Sequence, residues 1–303
     1  VVYLRTSFRK LENSNTTLTE RVRAGIKRQR ILLSVLFLLL LIAAVYLGYY
    51  YFPLNSETGK TNKWEFIFIG FFAELANGTL GMAYGVTTSA FLISIGITPV
   101  ISSAMVHISE VFNAGAAGLI HYKIGNVNKK LFRKLLVPGI IGSVAGASLL
   151  FAFKNHTHAL RMAVSVYTLL LGMVIIYKAL ASIKTKNKIK RISLVGLLSG
   201  FLDAMGGGGW GTIVSATLIA GGRNALYTIG SVSLSKFFVA LASSITFIAL
   251  MGSIQWMPIA WLVVGGLVAA PIGPYLAKHI PIKFTMILVA LAIILISLKQ
   301  IFF

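Results

Sequence analysis

Unbroken apolar runs alternate with short polar or basic segments along most of the chain: Ile31–Tyr51, Val100–Ile120, Leu135–Phe153, Leu160–Leu180, Leu226–Leu250, Ile259–Ala277 and Phe284–Ile301. Each comes close to the ~20 residues that carry an α-helix across ~30 Å of hydrocarbon. Two further apolar stretches are broken by glycine. The first, Gly70–Gly96, has Gly78, Gly81 and Gly85 at its centre; the second, Gly196–Gly222, is centred on Gly206, Gly207, Gly208, Gly209 and Gly211. Paired, interrupted hydrophobic segments in the two halves of a membrane protein mark the binding site of a transporter.

The broken stretches are copies of one another at an offset of 126 residues. At that spacing Gly70 matches Gly196, Gly81 matches Gly207, Gly85 matches Gly211 and Gly96 matches Gly222. Ser89, Ala90, Leu92 and Ile93 recur as Ser215, Ala216, Leu218 and Ile219. With a one-residue slip the matching continues: Gly125 with Gly252, Val137 with Val264, Gly146 with Gly273. The chain therefore divides into residues 1–30, a basic segment; 31–52, an extra membrane helix; 64–182, a first repeat; and 189–303, a second.

Basic residues decide the threading. They cluster at Arg21–Arg30, Lys123–Lys134 and Lys184–Arg191, with a weaker group at Lys278, His279 and Lys283. Loops rich in Lys and Arg stay on the cytoplasmic side. A single crossing by Trp64–Gly96 would put both of the richest loops outside. If each broken stretch doubles back to the side it came from, every basic loop lies inside, with the amino terminus. The loops Lys154–His158 and Gly252–Gln255, and the carboxyl end at Phe303, then lie outside. Each half so contains a hairpin and three crossings, which inserts the second upside down relative to the first. The expected fold is an all-α polytopic membrane protein with an inverted repeat, each hairpin arm being a half-helix of about 12–15 residues.

Composition agrees with a membrane solvent: 57% of residues are hydrophobic and 12% charged, with a mean hydropathy of +0.85. A largely polar segment of 30 residues precedes Ile31, too long for a secretory signal, so the first run is expected to be an anchor. The chain opens on Val1 rather than Met, which leads us to expect residues upstream. There is no cysteine, hence no disulfide or thiol chemistry. The net charge of +21 does not indicate nucleic acid, because the basic residues sit between apolar runs, where anionic lipid is their partner.

Irregular backbone at membrane depth has to be buried in protein or line a wet cavity. Here the second arms begin near Gly85–Thr88 and Gly211–Val214, and a helix start offers free N–H groups and a positive dipole end to an anion. Two such ends facing across an inverted axis would cradle one small anion. The lining is expected from Asn77, Gly78, Gly81, Tyr84 and Gly85 in one half and Asp203, Gly206–Gly209, Trp210 and Gly211 in the other. The competing explanation is that the glycines only permit close helix packing, as in Gly142-x-x-x-Gly146.

Ionisable residues at depth are few. Of seven acids, Glu12, Glu20 and Glu57 fall in polar segments and Glu65 at a helix start, leaving Glu74, Glu110 and Asp203. Lys236 and His107 are the basic companions. Intramembrane charges are expensive and point to function. Glu110 and Lys236 are repeat equivalents in mid-helix and are expected to pair, with a structural or a coupling role; His107 lies one turn before Glu110. No nucleophile–base grouping, metal motif or phosphate loop is present, so neither enzyme activity nor a cofactor is expected.

The segment Gly200-Phe-Leu-Asp-Ala-Met-Gly-Gly-Gly-Gly-Trp-Gly211, with its degenerate first-half copy Gly78-Thr-Leu-Gly-Met-Ala-Tyr-Gly85, resembles the TauE/SafE family of sulfite and organosulfonate carriers. The resemblance runs from about Trp64 to the carboxyl end, so that residues 1–63 are an addition. It implies a small sulfur-containing anion, such as sulfite or sulfoacetate, as the substrate. The expectation is a secondary anion transporter of the plasma membrane working by alternating access. The alternatives are a passive anion channel or a membrane scaffold subunit that transports nothing. Its partners are the small anion and the lipid bilayer, not nucleic acid, and the sequence leaves a homodimer open.

Overall fold

The structure, a computed structural model, describes residues 63–180, 189 and 191–302. The basic amino-terminal segment, the run Ile31–Tyr51, most of the Lys184–Arg191 cluster and Phe303 lie outside the described residues. The described chain is all helical. In order it forms α1 (Lys63–Leu80), α2 (Tyr84–Ser94), α3 (Pro99–Lys123), α4 (Lys129–Ala152), α5 (Thr157–Leu180) and α6 (Ile192–Gly206). A π-helical turn at Gly211–Ser215 then runs into α7 (Ala216–Ala220). The remainder is α8 (Ala225–Met251), α9 (Trp256–Ala269), α10 (Ile272–His279) and α11 (Ile282–Phe302).

Four of these are long and apolar enough to cross a membrane: Lys129–Ala152, Thr157–Leu180, Ala225–Met251 and Lys283–Phe302. Polarity is distributed as a bilayer demands. Val137, Ile141, Leu170, Leu267 and Leu295 are exposed, whereas Glu74, His107, Glu110, Asp203 and a large set of Ser and Thr are buried. Lipid solvates the first group, and only the protein interior can satisfy the second.

The breaks fall where the glycines are. α1 stops at Gly81 (φ +68°), and the chain passes through Ala83 (φ +99°) before α2 begins. α6 stops at Gly207, Gly208 and Gly209, with φ of +70°, +151° and +141°. Three consecutive residues in a region that L side chains rarely adopt cannot continue a helix, and only glycine forms such a turn without strain.

Each broken segment returns to the end of the bundle from which it came. Phe66, in the first turn of α1, shares an apolar cluster with Leu92 near the end of α2 and with Ile259 at the start of α9. The carbonyl of Gly96 accepts from Arg161 Nη2 (3.5 Å) at the start of α5, and Gln300 Nε2 donates to Ala90 O (2.7 Å). At the opposite end, a Cβ on Gly221 would lie 2.9 Å from Ile189 Cδ1, so the end of α7 sits beside the residues that open α6. Ile192 packs there with Leu131 and Leu135, and Asn128 N–H donates to Ser231 Oγ (2.9 Å) at the start of α8. Since α4 runs between these two ends, the hairpins enter from opposite sides.

Glycine also sets the helix contacts. A Cβ on Gly142 or Gly146 would strike the carbonyls of Leu197 and Phe201, which brings α4 against α6. Gly70 and Gly265 do the same for α1 and α9. The run Ile259–Ala277, expected as one crossing, is broken between α9 and α10 at Ala270–Pro271. Proline lacks the N–H and its ring clashes with the carbonyl four residues earlier. The break carries Gly273 onto Gly78 of α1, within 2.8 Å of its Cα for an added Cβ.

Candidate functional site

The two hairpin turns cross backbone on backbone. A Cβ on Gly85 would come 2.7 Å from Gly208 Cα and 2.9 Å from Gly207 O, while one on Gly208 would overlap the Gly85 carbonyl carbon and Val86 N. Hydroxyls staple the crossing. Ser89 Oγ donates to Gly206 O (3.0 Å), Ser103 Oγ to Ala204 O (2.6 Å) and Tyr167 Oη to Gly208 O (2.9 Å). The aromatic pair that begins the second arms is buried at equivalent places. Tyr84 Oη donates to Ser109 Oγ (3.0 Å) on α3, and Trp210 Nε1 donates to Val232 O (3.2 Å) on α8.

Directly behind the crossing lie four charged side chains. Lys236 Nζ donates to Glu110 Oε1 at 2.5 Å, and Glu110 Oε1 would be 3.0 Å from a Cβ on Gly85. Asp203 Oδ1 accepts the Trp210 backbone N–H (2.7 Å), so this carboxylate caps the second arm of its own hairpin. Its Oδ2 faces His107 Nε2 at 3.2 Å, both residues being fully buried. His107 Nδ1 is 2.7 Å from Ser103 O, an atom that can only accept, so Nδ1 carries a hydrogen. The contact with Asp203 needs one hydrogen between Nε2 and Oδ2, so the two side chains together carry no net charge whichever of them holds it. Glu74, one helix away, accepts from Asn77 Nδ2 at 3.2 and 3.3 Å.

His107, Glu110 and Asp203 bring one ligand atom each within 4.8 Å of one another. The set does not fit a divalent ion. The Lys236 ammonium on Glu110 Oε1 would repel a cation at this carboxylate, and Asp203 is engaged by the Trp210 N–H and His107.

The expected lining residues divide into two groups. Gly206, Gly208 and Gly209 face protein: added Cβ atoms would overlap the Tyr167 ring and hydroxyl or the Gly85–Val86 backbone, and one on Gly207 would meet Ser89 Oγ at 2.5 Å. Their space is filled, so at these positions glycine serves the crossing itself. On the other side, Gly81 is exposed and would have no atom within 4 Å of a Cβ, whereas Gly211 is buried but uncrowded, a Cβ there meeting nothing nearer than Met82 Cβ at 3.5 Å. Asn77 and Gly78 are half-buried beside this opening. Lys178 joins it from α5, with Nζ donating to Thr212 O (2.8 Å), and Thr212 Oγ1 is buried with no hydrogen-bond partner among the described residues. Sequence reasoning missed Tyr167, Lys178, Ser89 and Ser103. For Lys178 the available signal was a charge inside an apolar run and for Ser89 its recurrence as Ser215; for Tyr167 and Ser103 there was none.

A membrane-embedded helical bundle with two crossed, broken hairpins defines a membrane transport protein. The sequence profile described as Sulfite exporter TauE/SafE matches residues 66–300, and the chain belongs to that family. It is 34% identical over 244 residues to the Probable membrane transporter protein YtnM of Bacillus subtilis (strain 168), covering 77% of this chain and 81% of that protein. No solved structure matches the chain.

Proposed function

We propose that the protein is a secondary carrier of a small anion, a sulfur oxyanion or an organosulfonate, which it moves across the plasma membrane by alternating access. The observation that carries this reading is the meeting of two hairpin turns that enter from opposite ends, with the second arms starting at the crossing. The two halves are inverted repeats, and the basic Lys123–Lys134 end is cytoplasmic. Separation of the hairpins on one side or the other exposes the same central point alternately, as the alternating-access scheme requires.

The anion sits on the open side of the crossing, against Gly81, Gly211 and the start of the second arm. There the second arm turns its positive end outward past the Trp210 N–H that Asp203 takes, and the Lys178 ammonium adds a positive charge. The sulfur class of the substrate comes from the family, whose description names sulfite export. A folded binder is stabilised in proportion to ln(1 + [L]/Kd), so thermal unfolding with sulfite, sulfate, thiosulfate, sulfoacetate, taurine and acetate tests the reading. We expect a concentration-dependent rise in Tm for a sulfur oxyanion or sulfonate and none for acetate. Equal behaviour of all six ligands contradicts it.

A further inference from the structure

We propose that Glu74 is the group that takes up and releases the proton coupled to transport, an inference that rests on the carrier reading above. Among the described residues, the ionisable side chains behind the crossing form two balanced pairs and leave one carboxylate over. Lys236 answers Glu110, and His107 answers Asp203. Glu74, only 7% exposed, has a neutral amide as its hydrogen-bond partner. A buried carboxylate with no cation of its own is held most cheaply with a proton attached. The groups that act on it are Lys236 of α8, already claimed by Glu110, together with Glu110 of α3 and Tyr84 of α2. α9 offers no ionisable side chain, and α10 carries Tyr275, Lys278 and His279 in its sequence.

The repeat shows that the fold itself does not require this carboxylate. The position equivalent to Glu74, 126 residues on, is Gly200, whose Cβ would collide with the Gly139 carbonyl; that to Asn113 is Val239, which packs at Gly139. The second half closes this space with backbone and apolar groups. The first half keeps it polar. A Cβ on Gly266 would lie 3.4 Å from Asn113 Nδ2 and 3.7 Å from Glu74 Cβ, so a small gap separates the two side chains. Asn113 Nδ2 itself is buried with no partner among the described residues.

Glu74 lies one helical turn before Asn77 and Gly78, which lead to the exposed Gly81 at the hairpin tip. In one conformation water reaches the carboxylate from one side and leaves a proton on an Oε atom. In the other conformation the same O–H returns the proton to water on the opposite side. The proton offsets the charge of an anion held at the neighbouring tip, so the two travel in the same direction.

The test uses purified protein in proteoliposomes with radiolabelled sulfite. Wild type should show sulfite counterflow, and sulfite accumulation under an imposed pH gradient. Glu74→Gln, which mimics the protonated form, should keep counterflow within about threefold but make it independent of pH, and should lose gradient-driven accumulation at least tenfold. If Glu74→Gln does not fold, Glu74→Asp should still accumulate sulfite, with a displaced pH profile. Accumulation by Glu74→Gln equal to wild type, an unchanged pH profile in Glu74→Asp, or wild-type counterflow with no response to the gradient overturns this proposal alone. Absence of counterflow in wild type with both sulfite and sulfoacetate overturns it together with the carrier reading.

Discussion

The Glu110–Lys236 pair joins the two halves at the crossing, and its contribution can be worked from its surroundings. The side chains are 1% and 13% exposed, respectively. Lys236→Met leaves the Glu110 carboxylate buried, with its Oε2 already unpartnered in the wild type. Glu110→Leu leaves an ammonium buried without its first partner. Removing one member of a buried pair costs about 3–5 kcal/mol, whereas replacing both by apolar groups of similar volume is near neutral. The singles therefore sum to roughly 6–10 kcal/mol, and the double variant should lie within ~3 kcal/mol of wild type. The coupling energy, at least ~3 kcal/mol, stands at the top of the range for neighbouring residues. Reversible unfolding in mixed micelles reads it through the fluorescence of Trp210, which is fully buried at the crossing. Additive singles, with coupling below about 0.5 kcal/mol, would refute the claim that these two charges exist for one another.

Gly208→Ala places a Cβ into the Gly85–Val86 backbone at φ +151° and should cost about 2–5 kcal/mol in the same assay. Gly81→Ala, in open space at φ +68°, should cost only about 1–2 kcal/mol. Asp203→Asn keeps an acceptor for the Trp210 N–H and should lose about 1–2 kcal/mol, whereas Asp203→Leu strands both that N–H and His107 and should lose about 3–5 kcal/mol. Because the chain has no cysteine, single cysteines can be placed at Asn128 and Asn155 and treated with an impermeant thiol reagent on intact cells. Asn155→Cys should label and Asn128→Cys should not; the reverse pattern would invert the proposed orientation.

Much of this arrangement is legible in the sequence because glycine and charge are rare at membrane depth. The 126-residue offset puts Glu110 opposite Lys236, and residues related by a two-fold near its axis are neighbours wherever the helices cross. The breaks at Gly81 and Gly207–Gly209 follow from the inability of other residues to take up the turn. His107–Asp203 was not legible. Asp203 reaches α3 because the hairpins cross, and no periodicity encodes a contact between residues 96 positions apart. Nor could sequence say which glycines face protein. Gly206 and Gly209 read like Gly211, yet the first two are filled by Tyr167, a side chain on a helix whose pattern is that of an ordinary lipid span. The break at Pro271 was masked by the continuous hydrophobicity of Ile259–Ala277, although the proline itself is the sequence signal for it.

The central claim, that this chain carries an anion through two crossed hairpins rather than letting it leak past them or merely anchoring other proteins, is tested most directly by sulfite counterflow. Proteoliposomes of the purified protein are loaded with unlabelled sulfite and diluted into a trace of labelled sulfite. The account predicts a transient accumulation of label above equilibrium that saturates with concentration and is blocked by sulfoacetate but not by acetate. A flux that rises linearly without overshoot would make the protein a channel. No flux above that of protein-free vesicles, with labelled sulfoacetate as with sulfite, would contradict transport of this substrate class.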